Sequence, residues 1–359
     1  MKQHDLDPMH FNLIKSMDEF ARNNGLSIRD PATKEDLLRS MEAKIDEHMA
    51  HEARIIGFHV ESLFAFVAAA LGGCKLISEV DSGLLYSNCG EIIRPDFRIV
   101  TNTDEQFFVE VKNFYQKNSP TKEYKIKGEY LRSLKNFARQ TKTPLKLAIY
   151  WSVWNKWTLI DADLLDCSQK TISFGLGDAY ALSEMRLLGD CWLATPPPLS
   201  MRFHTNKSKP REIDNDGVAD FYIENFCLCA NGNEIVDPVE NAIAWFLMNN
   251  GTWSKVEKPV ATTGSSIDAF EVQFYPEAPT GELPFEVLGM LSEMISIECR
   301  RSVTKDGEIE NLIPSKSNKE YGALIPRNFE GSVLKLSRLF LEPNKELLRS
   351  KPTGQRFLA

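Results

Sequence analysis

The sequence predicts an α/β (α+β) chain in two units, and three observations carry that expectation. Residues 94–113, RPDFRIVTNTDEQFFVEVKN, alternate apolar and polar side chains on both sides of a polar turn. Helical patterns at 55–74 and 129–142 flank this segment, and a strand-like stretch follows the second. A triple proline at 196–198 punctuates the 359-residue chain near its middle. The expected organisation is an N-terminal helical segment (1–46), a first domain (47–195) and a C-terminal α/β domain (196–359) whose task is target recognition, dimerisation or regulation.

Residues 1–46 are charged and read as helices capping the first domain. From Ile55 to Cys74 the chain runs IIGFHVESLFAFVAAALGGC, a helix apolar nearly all round that should be buried. Its only charged carboxylate is Glu61, and one ionised Glu in such a helix costs several kcal/mol unless a partner compensates it. A metal ion or an arginine such as Arg94 would serve. His59 on the same helix reads as a satisfied structural residue.

In the 94–113 segment, Phe97 and Ile99 alternate with polar neighbours, as do Phe107, Val109 and Val111. Thr101-Asn102-Thr103-Asp104-Glu105 supplies the turn of an antiparallel hairpin. A turn centred on Thr103 places Asp96 opposite Glu110, Phe97 opposite Val109 and Ile99 opposite Phe107. Alternation across the strands then projects Asp96, Glu110 and Lys112 from the face opposite the apolar pairs. Two facing carboxylates repel, and a divalent cation between them reverses the sign. Oxygen ligands of this kind suit Mg2+.

Next, EYLRSLKNFARQTK carries an apolar stripe at Tyr130, Leu131, Leu134, Phe137 and Ala138, with Arg132, Lys135 and Arg139 on the opposite side. Pro144 closes this helix, and PLKLAIYWSVWNKWTLID reads as two strands around Trp154-Asn155-Lys156. Beyond the prolines, Asp237-Pro238-Val239-Glu240 is a helix start with its N-cap, and Gly251 a stop. AFEVQFY alternates like a strand, and LPFEVLGMLSEMISIECRR reads as a helix.

Composition is that of an ordinary soluble chain, 43% hydrophobic and 26% charged, with no signal-peptide core at the N-terminus, so a cytoplasmic location away from membranes is the expectation. Seven cysteines without paired zinc-type spacing read as free thiols. The net charge of −8 is unevenly placed: residues 112–146 hold ten Lys or Arg against Glu123 and Glu129, a net +8, leaving −16 for the rest. A basic helix and loop beside an acidic hairpin suits phosphate neutralisation. Serine-hydrolase elbows, zinc-protease helices and nucleotide P-loops are missing.

Pro95-Asp96 followed by Glu110-Val111-Lys112 resembles the PD-(D/E)xK nuclease superfamily, the restriction endonuclease-like fold, and Gly57-x3-Glu61 is similar to that family's first helix. The resemblance covers residues 47–165. It implies a central mixed β-sheet flanked by helices and a Mg2+-dependent endonuclease (Mn2+ substituting) acting on DNA in restriction, phage defence, recombination or repair. Asp96, Glu110, the Val111 carbonyl and Glu61 would be metal ligands, and Lys112 would orient or help deprotonate the attacking water. Lys117, Lys122, Lys125, Lys127, Arg132, Lys135 and Arg139 are the candidate nucleic-acid contacts, and a homodimer is a further expectation. The alternatives are a catalytically silent nucleic-acid-binding or scaffold protein on a nuclease-like core, and an RNA-directed nuclease.

Overall fold

The computed structural model describes residues 13–80, 85–88, 90–116, 121–277, 284–314 and 324–346. Its first half runs α1 (Leu13–Asn23), α2 (Pro31–Met49), α3 (Glu52–Ala70), β1 (Cys74–Glu79), β2 (Phe97–Thr101), β3 (Gln106–Phe114), β4 (Tyr124–Lys127), α4 (Gly128–Gln140), β5 (Leu145–Trp151), β6 (Lys156–Asp161), β7 (Thr171–Phe174) and α5 (Leu176–Ala181). The central sheet has the order β1-β2-β3-β5-β6, and it is mixed: β3 and β5 are parallel, the other pairs antiparallel. A parallel pair needs a long crossover, which here contains β4 and α4. This is a mixed α+β architecture with helices flanking a central sheet.

The hairpin register follows from its apolar faces. Phe97 pairs with Val109, Arg98 with Phe108 and Ile99 with Phe107, and Asp104 turns the chain with φ 67°. A slip of one residue would drive Phe97, Ile99, Phe107 and Val109, all buried, to the other face. That face meets α3, whose Val60, Leu63, Phe64 and Val67 are buried. Phe64 lies 5.8 Å from Phe97 and 5.5 Å from Trp157, ring centre to ring centre. Full burial of such side chains stabilises by roughly 1.5–3 kcal/mol each. By length and composition α3 would also suffice to cross a membrane, but here it is a core helix between the sheet and the C-terminal half. The other sheet face meets α4 through Leu131, Leu134 and Ala138, against Leu147 and Ile149 of β5.

The second half adds β8 (Trp192–Thr195), β9 (Leu199–Thr205), β10 (Ile223–Ala230), β11 (Asn233–Glu234), α6 (Pro238–Asn250), β12 (Trp253–Thr263), β13 (Ser266–Pro276), β14 (Glu286–Met290), α7 (Leu291–Val303), β15 (Thr304–Lys305), β16 (Glu308–Ile309) and β17 (Ser337–Leu339). A five-stranded sheet has the order β11-β10-β9-β13-β12 and a three-stranded one β14-β8-β17. Asp237 caps α6 by accepting from the amides of Val239 and Glu240, with Pro238 at the first turn. The stretch read as one helix from Leu283 onward divides instead. Residues 286–290 pair with β8, and only at Leu291 does helix begin. Partner-strand pairing outweighs local helix propensity there.

Helix α7 joins the halves. Trp157 donates its indole N–H to Ser296 Oγ at 3.0 Å, Asn155 reaches the Glu293 carbonyl, and Lys156 pairs with the Glu293 carboxylate. One apolar cluster runs from Val60 through Trp157 and Leu199 to Leu334, continuous across residues 195 and 196. The helix itself has no local side-chain cap; Asp190 supplies one from a hundred residues away, accepting from the Ser292 amide at 2.9 Å and its hydroxyl at 2.6 Å.

Candidate active site

Register places Asp96 and Glu110 opposite one another at the open end of the hairpin. Pro95 is buried and leads Asp96 into β2. Asp96 is fixed twice: its carbonyl accepts from the Val80 amide at 2.9 Å, and its carboxylate from the Val111 amide at 2.7 Å. Glu110 is 2% exposed. Its Oε1 accepts from the Lys112 ammonium and from the Tyr130 hydroxyl. Its Oε2 is buried and meets no hydrogen-bond partner among the described residues. Leaving such an atom unsatisfied costs on the order of 1–3 kcal/mol or more.

The electrostatics follow from that geometry. Burial, with the like charge of Glu110 added to it, pushes Asp96 from 3.8 up to about 7, against the pull of the Val111 N–H and Lys112. Burial alone would lower the Lys112 ammonium, but the Glu110 charge, Tyr130 and Asp96 outweigh it and hold it above the ordinary lysine value. Lys112 is therefore a fixed cation in this arrangement, with its ammonium 5.2 Å from the centre of the Tyr130 ring. Burial and the neighbouring Glu110 charge push the Tyr130 hydroxyl up to about 12, so it stays a donor to Glu110.

Glu61 is half-buried on α3. Burial raises its pKa, Lys112 lowers it, and Glu110 and Glu79 raise it again, so it borders the same charge cluster. Among the described residues no three His, Cys, Asp or Glu side chains close on one point. Glu61 thus stands at the edge of the Asp96–Glu110 pair and does not complete a three-carboxylate cage. The donor set still suits a hard divalent cation: a carboxylate oxygen orphaned among the described residues and a second carboxylate destabilised by its neighbour. His59 is a structural residue, with Nδ1 3.1 Å from the Leu312 carbonyl and its pKa lowered by burial.

The basic residues divide. Lys122, Lys125 and Lys127 are exposed, the last two on the outer face of β4, whose inner face buries Tyr124 and Ile126. Tyr124 lies within electrostatic reach of Lys112, Glu110 and Tyr130, which sets β4 beside the site. Arg132 and Lys135 instead turn to the carbonyls of Cys167 and Leu165, and Arg139 to Asn136. Lys117 lies outside the described residues. Tyr130, absent from the sequence-derived site, had been absorbed into the apolar stripe of α4; only its place one turn into the helix after a charged hairpin marked it. Glu79, at the end of β1, carried no signal, because its strand and pairing are set by the tertiary fold.

No protein-family model matches the chain, and no curated protein matches it. Among solved structures it is similar to the Holliday junction resolvase Hjc of Archaeoglobus fulgidus, an archaeal hyperthermophile, at 17% identity. The match covers 32% of this chain and 87% of that one, with a TM-score of 0.24.

Proposed function

We propose that the chain is a metal-dependent nuclease hydrolysing phosphodiester bonds, with DNA as its substrate class. The observation that carries this reading is Glu110, set across the hairpin from Asp96, with Oε1 held by Lys112 and a buried Oε2 that has no partner among the described residues. Asp96, Glu110 and the Val111 carbonyl would hold Mg2+, with water and substrate phosphate completing its shell and Glu61 acting at longer range. Once bound, the ion would lower the pKa of a water and stabilise charge on the phosphorus.

The chain's own residues supply the rest. Lys112, a cation beside Glu110, would place positive charge against the phosphate and orient the attacking water or help deprotonate it. Tyr130 fixes the rotamer of Glu110 and shields it from solvent. Lys122, Lys125 and Lys127 offer exposed charge to a strand entering past β4, and each phosphate they neutralise steepens the salt dependence of binding.

The test is cleavage of supercoiled plasmid, linear duplex, branched DNA, single-stranded DNA and RNA with Mg2+, Mn2+ or EDTA. Cutting that needs metal and disappears in Asp96→Ala and Lys112→Ala is the expected result. Binding without cutting on any substrate would favour the silent binding protein, and cutting confined to RNA would move the substrate class.

A further inference from the structure

A second polar site lies at the other end of the hairpin. Thr101, at the far end of β2, is five residue steps from Asp96, about 17 Å at ~3.3 Å per residue. There a cavity of about 420 Å3 is lined by Arg186, Arg327, Arg338, Thr101, Thr103 and Phe340, among others, with no carboxylate among the described residues that line it. Small-molecule sites commonly span ~300–1,000 Å3. In a chain of net charge −8, three guanidinium groups around one carboxylate-free cavity ask for an anion.

Two of the three charges, Arg327 and Arg338, have no carboxylate partner among the described residues. Among the described residues Arg338 donates to backbone carbonyls alone, at 2.8 Å to Arg327 and 3.3 Å to Ile325, and also to Pro326. Arg327 is exposed and has no ion pair among the described residues. Arg186 pairs with Glu342. Burial, with the like charge of Arg327, also pulls the Arg338 guanidinium below its ordinary value. An anion between Arg327 and Arg338 would relieve both effects.

The floor is built and rigid. The Gly73 amide donates to the Leu188 carbonyl at 2.8 Å, and a Cβ on Gly73 would stand 2.0 Å from that same carbonyl. Gly189, with φ +100°, closes the other side against Leu71. The Thr101 and Thr103 hydroxyls lie 2.9 Å apart and offer further polar contact. At the mouth, Phe340 is 51% exposed and presents a ring for stacking.

We propose that this cavity binds a phosphate-bearing ligand through Arg327 and Arg338, with Phe340 as the stacking surface for an attached base. Arginine suits the task because its planar fork matches phosphate oxygens. Free nucleotides and nucleic-acid strands share this chemistry, and the experiment separates them.

Binding is measured on the full chain by calorimetry and thermal shift in EDTA, so that the carboxylate site takes no part and the nuclease reading stands or falls separately. The probes are inorganic pyrophosphate, AMP and a short single-stranded DNA, each against sulfate at matched ionic strength. Arg327→Glu, at an exposed side chain without an ion pair, should weaken binding tenfold or more, and Phe340→Ala should weaken AMP but not pyrophosphate. Binding of pyrophosphate or AMP assigns a free nucleotide-type ligand, and oligonucleotide binding alone assigns strand phosphates only for the part of it that Arg327→Glu removes, since the exposed lysines of β4 also attract a strand in EDTA. Failure of all three probes, or affinity indifferent to Arg327→Glu, overturns the site.

Discussion

Asp190→Asn should remove a specific part of the protein's pH dependence. Asp190 is 2% exposed and accepts from the Ser292 amide, the Ser292 hydroxyl and the Cys191 amide. Burial outweighs these donors and pushes the carboxyl from 3.8 up to about 6. The folded protein therefore prefers the neutral acid, and stability from this group is full below pH 3.8 and lost as pH rises through about 6. At ~1.4 kcal/mol per pH unit the whole displacement corresponds to about 3 kcal/mol, of which about 2 falls between pH 4 and pH 8. Asparagine keeps an acceptor for the Ser292 amide and never ionises. Urea unfolding of both proteins across this range, in EDTA, gives the difference curve, in which Asp96 and other groups common to both cancel. Wild-type stability should fall relative to the variant by about 2 kcal/mol from pH 4 to pH 8. Parallel curves, or a wild type that gains on the variant as pH rises, would show that the three hydrogen bonds outweigh desolvation and refute the reasoning.

Glu240 should act in the opposite direction. Burial alone would raise its carboxylate, but the Leu334, Ser332 and Val333 amides and the Ser332 hydroxyl bring it from 4.5 down to about 2. Its stabilisation is present above pH 4.5 and lost as pH falls toward 2, a loss that Glu240→Gln should blunt in acid unfolding curves. Gly73→Ala should cost roughly 1–3 kcal/mol by denaturant unfolding, because the Leu188 carbonyl is backbone and has little freedom to retreat. Tyr130→Phe should lower the rate of metal-dependent cleavage about tenfold with DNA affinity unchanged, since it frees Glu110 without touching the exposed lysines; an unchanged rate would remove Tyr130 from the site.

Local signals in the sequence were strong wherever geometry repeats over a few residues. Period-two alternation around a polar turn determined the register of β2 and β3, and with it the juxtaposition of Asp96 and Glu110. Asp237-Pro238 marked the start of α6 because capping is satisfied within three residues. Apolarity all round α3 foretold a core helix, but only its Val60–Leu63–Phe64–Val67 face is buried, while its first turn and Phe58, 50% exposed, meet solvent.

Tertiary structure decided what depends on partners distant in sequence. Residues 286–290 became a strand because β8 offered hydrogen bonds, and α7 found its cap in Asp190. Whether a lysine or arginine reaches a carbonyl was equally open: Lys125 is exposed on the outer face of β4, while Arg132, also exposed, reaches the Cys167 carbonyl. Tyr130 joined Glu110, and three arginines from separate segments came to line one cavity. Side-chain alternation and capping act through neighbours along the chain and are written in the sequence by itself; burial, charge compensation and pairing are set by neighbours in space, which only the folded chain brings together.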